Sequence, residues 1–229
     1  MKMKLIVISL GGSLIVPKKV NPKWLEEFKE VIEKNYNKYK FAIICGGGFV
    51  AREYITILEH EHKSKKQQSL VGIAATRMNA RLMMQLFGKP ANSKLPLTMK
   101  EVKNLLSKNK VVFCGALRYA PNQTSDATAA KLASYLKTDF INLTNVPGLY
   151  SSNPAKNKNA KFISEISWED FKKKAMSIKY KPGQHFVLDQ TASALIKKHK
   201  IKTYLIGHEM RNLDNLLKGK KFTGTTIEQ

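Results

Sequence analysis

The sequence predicts an α/β fold, a parallel sheet with helices on both faces, and three observations lead to it. Short apolar runs rich in β-branched and aromatic residues recur at 5–10, 41–45, 111–114, 140–143 and 203–206, with helical patterns between the first four. Such alternation is how parallel strands are joined. Three of the runs lead through glycine-bearing loops into helices. Finally, 229 residues with 43% hydrophobic content suffice for one sizeable core or two closely joined lobes.

The elements follow in chain order. After the first strand, Asn21 suits an N-cap and Pro22 the first helical position, and Trp24, Leu25, Phe28, Val31 and Ile32 make a stripe of near 3.6 period. The run 41–45 ends in three glycines, 46–48, and a helical segment carrying Arg52. A long helix is predicted over 69–86, with Ser69 as its cap and Leu70, Ile73, Met78, Leu82 and Leu86 on its apolar side. Met78, Met83 and Met84 then fill the core or a subunit interface. Thr124, Ser125 and Asp126 open a helix over 124–136. A fourth helix covers 167–176, where Ser167 precedes Asp170 by three residues. Between these two, 151–162 is a polar, proline-containing loop of the kind that lies over a site or leads into a second lobe.

The formal charge of +23 is compatible with nucleic-acid binding, an anionic small substrate, or a composition bias shared across a proteome. Lysine supplies nearly all of it, since the only arginines are Arg52, Arg77, Arg81, Arg118 and Arg211. No stretch joins a basic cluster to aromatic spacing or to a recognition-helix pattern, so no specific nucleic-acid function is expected. Cys45 and Cys114 each end an apolar run, which predicts buried thiols rather than a disulfide framework or metal site. The apolar runs are far too short to span a bilayer, and the start lacks a small-residue cleavage pattern. No membrane partner and a cytoplasmic location are expected.

The glycine loops carry the chemistry. They are ISLGGS at 8–13, ICGGG at 44–48, and VFCGA at 112–116, which leads on to Thr124, Ser125 and Asp126. In parallel α/β sheets ligands sit at the carboxyl ends of strands. Glycine leaves backbone N–H groups unshielded for a phosphate, and a following helix N-terminus adds partial positive charge. Three loops on one edge suggest more than one phosphate. Gly46, Gly48 and Ala51 also satisfy G-x-G-x-x-A, but a dinucleotide site needs a strand ending in an acid about 20 residues on. The polar segment HKSKKQQS stands there instead, and no P-loop pattern occurs. Phosphoryl transfer remains, because it asks mainly for positioning, cationic groups and Mg²⁺. Arg52, about one turn into its helix, either reaches back to a phosphate or pairs with Glu53 or Glu61. Asp126 either holds a substrate group or Mg²⁺, or caps its helix.

These residues resemble the amino-acid kinase superfamily and, within it, the archaeal-type uridylate (UMP) kinases. The matching positions are Leu10 to Ser13; Gly46, Gly47 and Gly48 with Ala51, Arg52, Glu53 and Tyr54; and Gly72 and Ile73 with Thr76, Arg77, Met78, Asn79 and Ala80. They continue with Thr124, Ser125 and Asp126; Thr144, Asn145 and Val146 with Gly148, Leu149 and Tyr150; Val187, Leu188 and Asp189; and the ending Gly224 to Glu228. The glycine motifs mark the superfamily, while T-R-x-N-A and GTTIE narrow it to the UMP kinases. Isopentenyl phosphate kinases, a related group, carry His where this chain has Cys45.

The resemblance implies a three-layer α/β/α sandwich around a mostly parallel sheet, as one domain over 1–229. The acceptor nucleotide would take the part up to about 138, and ATP the part from about 139. It implies ATP + UMP → ADP + UDP with Mg²⁺, in a ring-shaped hexamer built of dimers. Carried across, Gly11, Gly12 and Ser13 face the transferring phosphates, Gly47 faces UMP, and Gly48 and Arg52 bind phosphate near ATP. Ser69, Gly115, Thr124, Ser125 and Asp126 fall at UMP positions; Thr144, Asn145, Tyr150 and Asn153 fall at ATP positions. Departures are Ser9, where relatives have Lys or an acid; Ser69, where they have an Asp for the ribose; Pro147 and Asn153 in place of carboxylates; and a longer loop with Arg118 and Tyr119. They leave open a same-fold kinase of another small phosphate or carboxylate, or a catalytically impaired nucleotide-binding paralogue.

Overall fold

The computed structural model describes residues 3–120, 123–152, 154, 157–177 and 188–229. Strands β1 (Lys4–Leu10), β2 (Tyr39–Cys45), β3 (Val111–Cys114) and β4 (Phe140–Leu143) lie where the apolar runs predict them. Three two-residue strands follow, β5 (Leu149–Tyr150), β6 (Phe162–Ile163) and β7 (Glu165–Ile166), then β8 (Thr203–Ile206) and β9 (Gly224–Ile227). Seven strands form one sheet in the order β3-β2-β1-β4-β8-β9-β7, and β5 pairs with β6 in a separate hairpin. All neighbours in the large sheet are parallel except β8 and β9. The predicted 151–162 loop therefore falls between the two strands of the hairpin, except that Phe162 opens β6.

Strand alternation divides the core in two. Ile6, Ile8 and Leu10 of β1, with Phe41 and Ile43 of β2, pack on one face against α2 (Pro22–Lys34), α4 (Lys65–Phe87) and α9 (Met210–Leu217). Val7, Ala42, Ile44 and Val112 pack on the other against α5 (Met99–Lys108), α6 (Ser125–Leu136), α7 (Trp168–Ser177) and α8 (Gln190–His199). Both faces being covered accounts for near-continuous apolar strands. The short α1 (Gly12–Ile15) follows β1, and α3 (Gly48–His60) packs chiefly on α4. Asn21 caps α2 as expected, its side chain accepting from the Trp24 amide.

Helix α4 corrects two expectations. It begins at Lys65, because Ser64 and Gln67 form a reciprocal capping box inside the polar run that reads as a loop. Ser69 caps nothing; it is partly exposed one turn into the helix and donates to the Lys65 carbonyl. The expected apolar side also lies outward: Leu70, Met78 and Leu82 are exposed, Met78 to 70%. Ala75, Thr76, Asn79, Ala80, Met83, Met84 and Phe87 make the buried side. Small and polar residues face inward because loops, not only side chains, press against this helix. Tyr54 and Ile57 of α3 are exposed as well.

Candidate active site at the carboxyl edge of the sheet

Register brings the loops together. Leu10 lies opposite both Cys45 and Leu143, Ile44 opposite Cys114, and Leu143 opposite Ile206. The loops after β1, β2, β3, β4 and β8 therefore leave the same edge, the one where parallel sheets bind ligands.

The first two glycine loops touch through their backbones. A Cβ on Gly12 would sit 2.1 Å from the Gly48 nitrogen, and Gly48 itself has φ of 67°. Only residues without a side chain allow this approach, and Gly48 needs the left-handed region besides. Gly47 is the N-cap of α3 and borders the Gly72 carbonyl and Thr76 of α4. Ser69 stands one turn before Gly72 on the same helix face. Gly11 donates its amide to the Leu143 carbonyl at 2.9 Å, beside Thr144, and Ser13, in α1, is partly exposed.

Helices α6 and α8 bring their N-termini to the same edge. Thr124 caps α6, accepting from the Ala127 amide at 3.0 Å, and Asp189 caps α8, accepting from Ala192 at 2.9 Å. The two caps are joined, since the Thr124 hydroxyl donates to Asp189 at 2.5 Å. Asp126 does not cap. Its carboxylate accepts from the buried Ser9 hydroxyl at 2.7 Å. Burial pushes the Asp126 carboxyl up to about 6; the Ser9 hydrogen bond opposes this and the negative charge of Asp189 adds to it. Ser125, the first residue of α6, is partly exposed.

Arg52 is exposed and pairs with neither Glu53 nor Glu61; among the described residues it has no ion-pair partner, and Glu61 lies instead beside His60. It sits one turn after Gly48 on the same side of α3. On the other flank, Thr144 and Asn145 follow β4, their side chains 3.3 Å apart, and Asn145 is exposed. Tyr150 is partly exposed in the β5–β6 hairpin, edge-on to Phe162 with centroids 5.3 Å apart. This hairpin is fastened by the terminal motif, because Thr225 accepts from the Leu149 amide at 2.8 Å and donates to the Ile163 carbonyl at 2.6 Å. Asn153 and Val187 lie outside the described residues. Burial pushes the thiols of Cys45 and Cys114 upward, which leaves them inert.

Sequence reasoning gave no role to Thr76, Arg77, Asn79 or Asp189. Thr76 accepts from the Ala116 amide, Arg77 donates to the carbonyls of Ala116 and Leu117, and Asn79 donates to that of Gly46. Thr76, Arg77 and Asn79 at i, i+1 and i+3, set among alanines and methionines in the middle of the helix, were the available signal. Among the described residues no helix is long and apolar enough to cross a membrane.

The amino acid kinase family profile matches residues 4–207. A protein named uridylate kinase from Thermococcus sibiricus is 35% identical over 225 residues, covering 97% of this chain and 99% of its own. A uridylate kinase from Thermoplasma volcanium is 33% identical, covering 98% and 97%. The crystal structure of uridylate kinase from Archaeoglobus fulgidus superposes with a TM-score of 0.85 at 35% identity, covering 98% of this chain and all of that one.

Proposed function

The chain belongs to the amino acid kinase family, and on that premise we propose that it is a uridylate kinase, transferring the γ-phosphoryl of ATP to UMP to give ADP and UDP. The observation that carries this is the end-to-end likeness to uridylate kinases, at 35% identity over 97% of the chain. The carboxyl edge supplies matching chemistry. Backbone amides of two touching glycine loops and the N-termini of α3, α6 and α8 favour bound phosphates, and phosphoryl transfer needs little beyond such positioning and charge stabilisation.

Gly11, Gly12 and Ser13 lie under the transferring phosphoryl, and Gly48 and Arg52 hold phosphate on the donor side. Gly47, Ser69, Gly115, Thr124 and Ser125 line the UMP side, and Asp126 stands between the two. Thr144, Asn145 and Tyr150 line the ATP side, and Asn153 belongs to that set by sequence. The acceptor part runs to about residue 138 and the donor part follows, within one domain. Mg²⁺ fits this edge: it is held mainly by nucleotide phosphates and water with one or two carboxylates, and Asp126 and Asp189 supply two carboxylates there. Bound there it would neutralise phosphate charge.

A hexamer built of dimers accords with the apolar face left by Tyr54, Ile57, Leu70, Met78 and Leu82 on α3 and α4. A cytoplasmic setting suits the nucleotide substrates, the pyrimidine-nucleotide role of UDP, and two unpaired buried thiols. A panel of UMP, CMP, AMP and small phosphates with Mg-ATP tests the acceptor; UMP is expected to be preferred, and preference for another acceptor would overturn it.

A further inference from the structure

We propose that α4 is a positioning clamp, in which Thr76, Arg77 and Asn79 hold the loop after β3 and the glycine loop after β2 at a fixed spacing for transfer. Only the name of the acceptor rests on the uridylate kinase reading.

Residues that follow a strand have backbone groups that neither sheet nor helix can pair, and buried ones need partners. On this edge one helix provides them. The Thr76 hydroxyl accepts from the Ala116 amide at 2.9 Å while donating to the Ile73 carbonyl at 2.7 Å. Arg77 forks, Nε to the Ala116 carbonyl at 3.2 Å and Nη2 to that of Leu117 at 2.6 Å. One turn on from Thr76, the Asn79 amide donates to the Gly46 carbonyl at 2.7 Å. Gly115 marks how closely the parts fit, since a Cβ there would lie 2.6 Å from the Thr76 hydroxyl and 2.7 Å from the Arg77 nitrogen.

Thr76 and Asn79 are buried, where apolar side chains would avoid the cost of desolvating polar atoms. Arg77 has no carboxylate partner among the described residues and spends its planar fork on two successive carbonyls. The loops so held carry Gly47 and Gly48 on one side and Gly115 on the other, and the attachments, Thr76 to Asn79, span less than one turn of rigid helix. The spacing between the two loops is therefore set by α4 and not by either loop.

The test compares Arg77→Ala, Arg77→Lys and Thr76→Val by steady-state kinetics, and by hydrogen exchange of residues 115–120 without nucleotide. Arg77→Ala is expected to raise KM for UMP about tenfold, with KM for ATP changed less than about twofold. Exchange in 115–120 should accelerate by about tenfold or more as the loop opens locally. Arg77→Lys should recover at most part of this, because an ammonium does not reproduce the fork. Thr76→Val, which keeps the shape but loses the acceptor, should show the same KM split and faster exchange at Ala116. Unchanged KM and exchange in folded Arg77→Ala, full recovery by Lys, or, should Arg77→Ala not fold, unchanged values in Thr76→Val would overturn the clamp. If the wild-type chain made no UDP, the acceptor assignment would fall while the exchange data still decided the clamp.

Discussion

The Ser9 hydroxyl donates to the Asp126 carboxylate at 2.7 Å, tying the end of β1 to the first turn of α6 across 117 positions of chain. Because burial raises Asp126 from 3.8 to about 6, the folded protein binds this proton more tightly than the unfolded one. The resulting stabilisation is present below pH 3.8 and is lost as pH rises through about 6. Asp126→Asn should remove this dependence, so that in denaturation without nucleotide or Mg²⁺ the variant gains on wild type between pH 5 and pH 8. Ser9→Ala should move the midpoint upward by removing the bond that lowers it. A stability difference flat across that range would place Asp126 in water.

Arg52 touches no acid among the described residues and is exposed, so its removal should leave the fold intact. Arg52→Ala is expected to change stability by less than about 0.5 kcal/mol. If the guanidinium holds phosphate, kcat/KM falls about tenfold or more, about 1.4 kcal/mol. Paired melting curves and kinetics check both, and an unchanged rate would leave Arg52 a surface residue.

Two serines five positions apart should separate cleanly. Ser64→Ala removes the capping box of α4 and should cost about 1 kcal/mol in chemical denaturation. Ser69→Ala should be near neutral for stability, since Ser69 is partly exposed and its hydroxyl bonds only back to the Lys65 carbonyl of its own helix. Ser69→Asp, which places an acid able to accept from a ribose hydroxyl on the proposed UMP side, should lower KM for UMP.

Ile57 and Met78 are exposed to 61% and 70% on adjacent helices, an apolar area that a second copy would cover. The double variant Ile57→Glu, Met78→Glu should reduce the mass measured by light scattering towards that of a monomer at 25.9 kDa. Retention of the wild-type mass would move the interface elsewhere.

The five main strands were legible because they are largely buried on both faces and read as near-continuous apolar runs, broken only by single buried polar residues such as Ser9 and Asn142. Their parallel order then places the glycine loops on one edge, so the candidate site was legible too. Helix α4 was harder. Its start lies in HKSKKQQS, where only Ser64 and Gln67 mark the cap, and its buried side is built from Thr76 and Asn79 beside alanines while Leu70 and Met78 face out. Hydrophobic periodicity identifies the inward side only when the neighbours are apolar side chains, and here the neighbours include loop backbone. The β5, β6 and β7 strands are two residues long, too short to show a period. The GTTIE ending was recognisable as a motif, but its task of fastening the Tyr150 hairpin depends on Thr225 meeting Leu149, 76 positions away. The bond between Thr124 and Asp189 spans 65 positions and was equally hidden.

The most direct test of the central claim is the conversion of UMP by the purified chain with Mg-ATP, followed by separation of the nucleotides. UDP and ADP should accumulate in equal amounts, faster than with CMP or AMP; no UDP at any UMP concentration, in a folded protein, would contradict it.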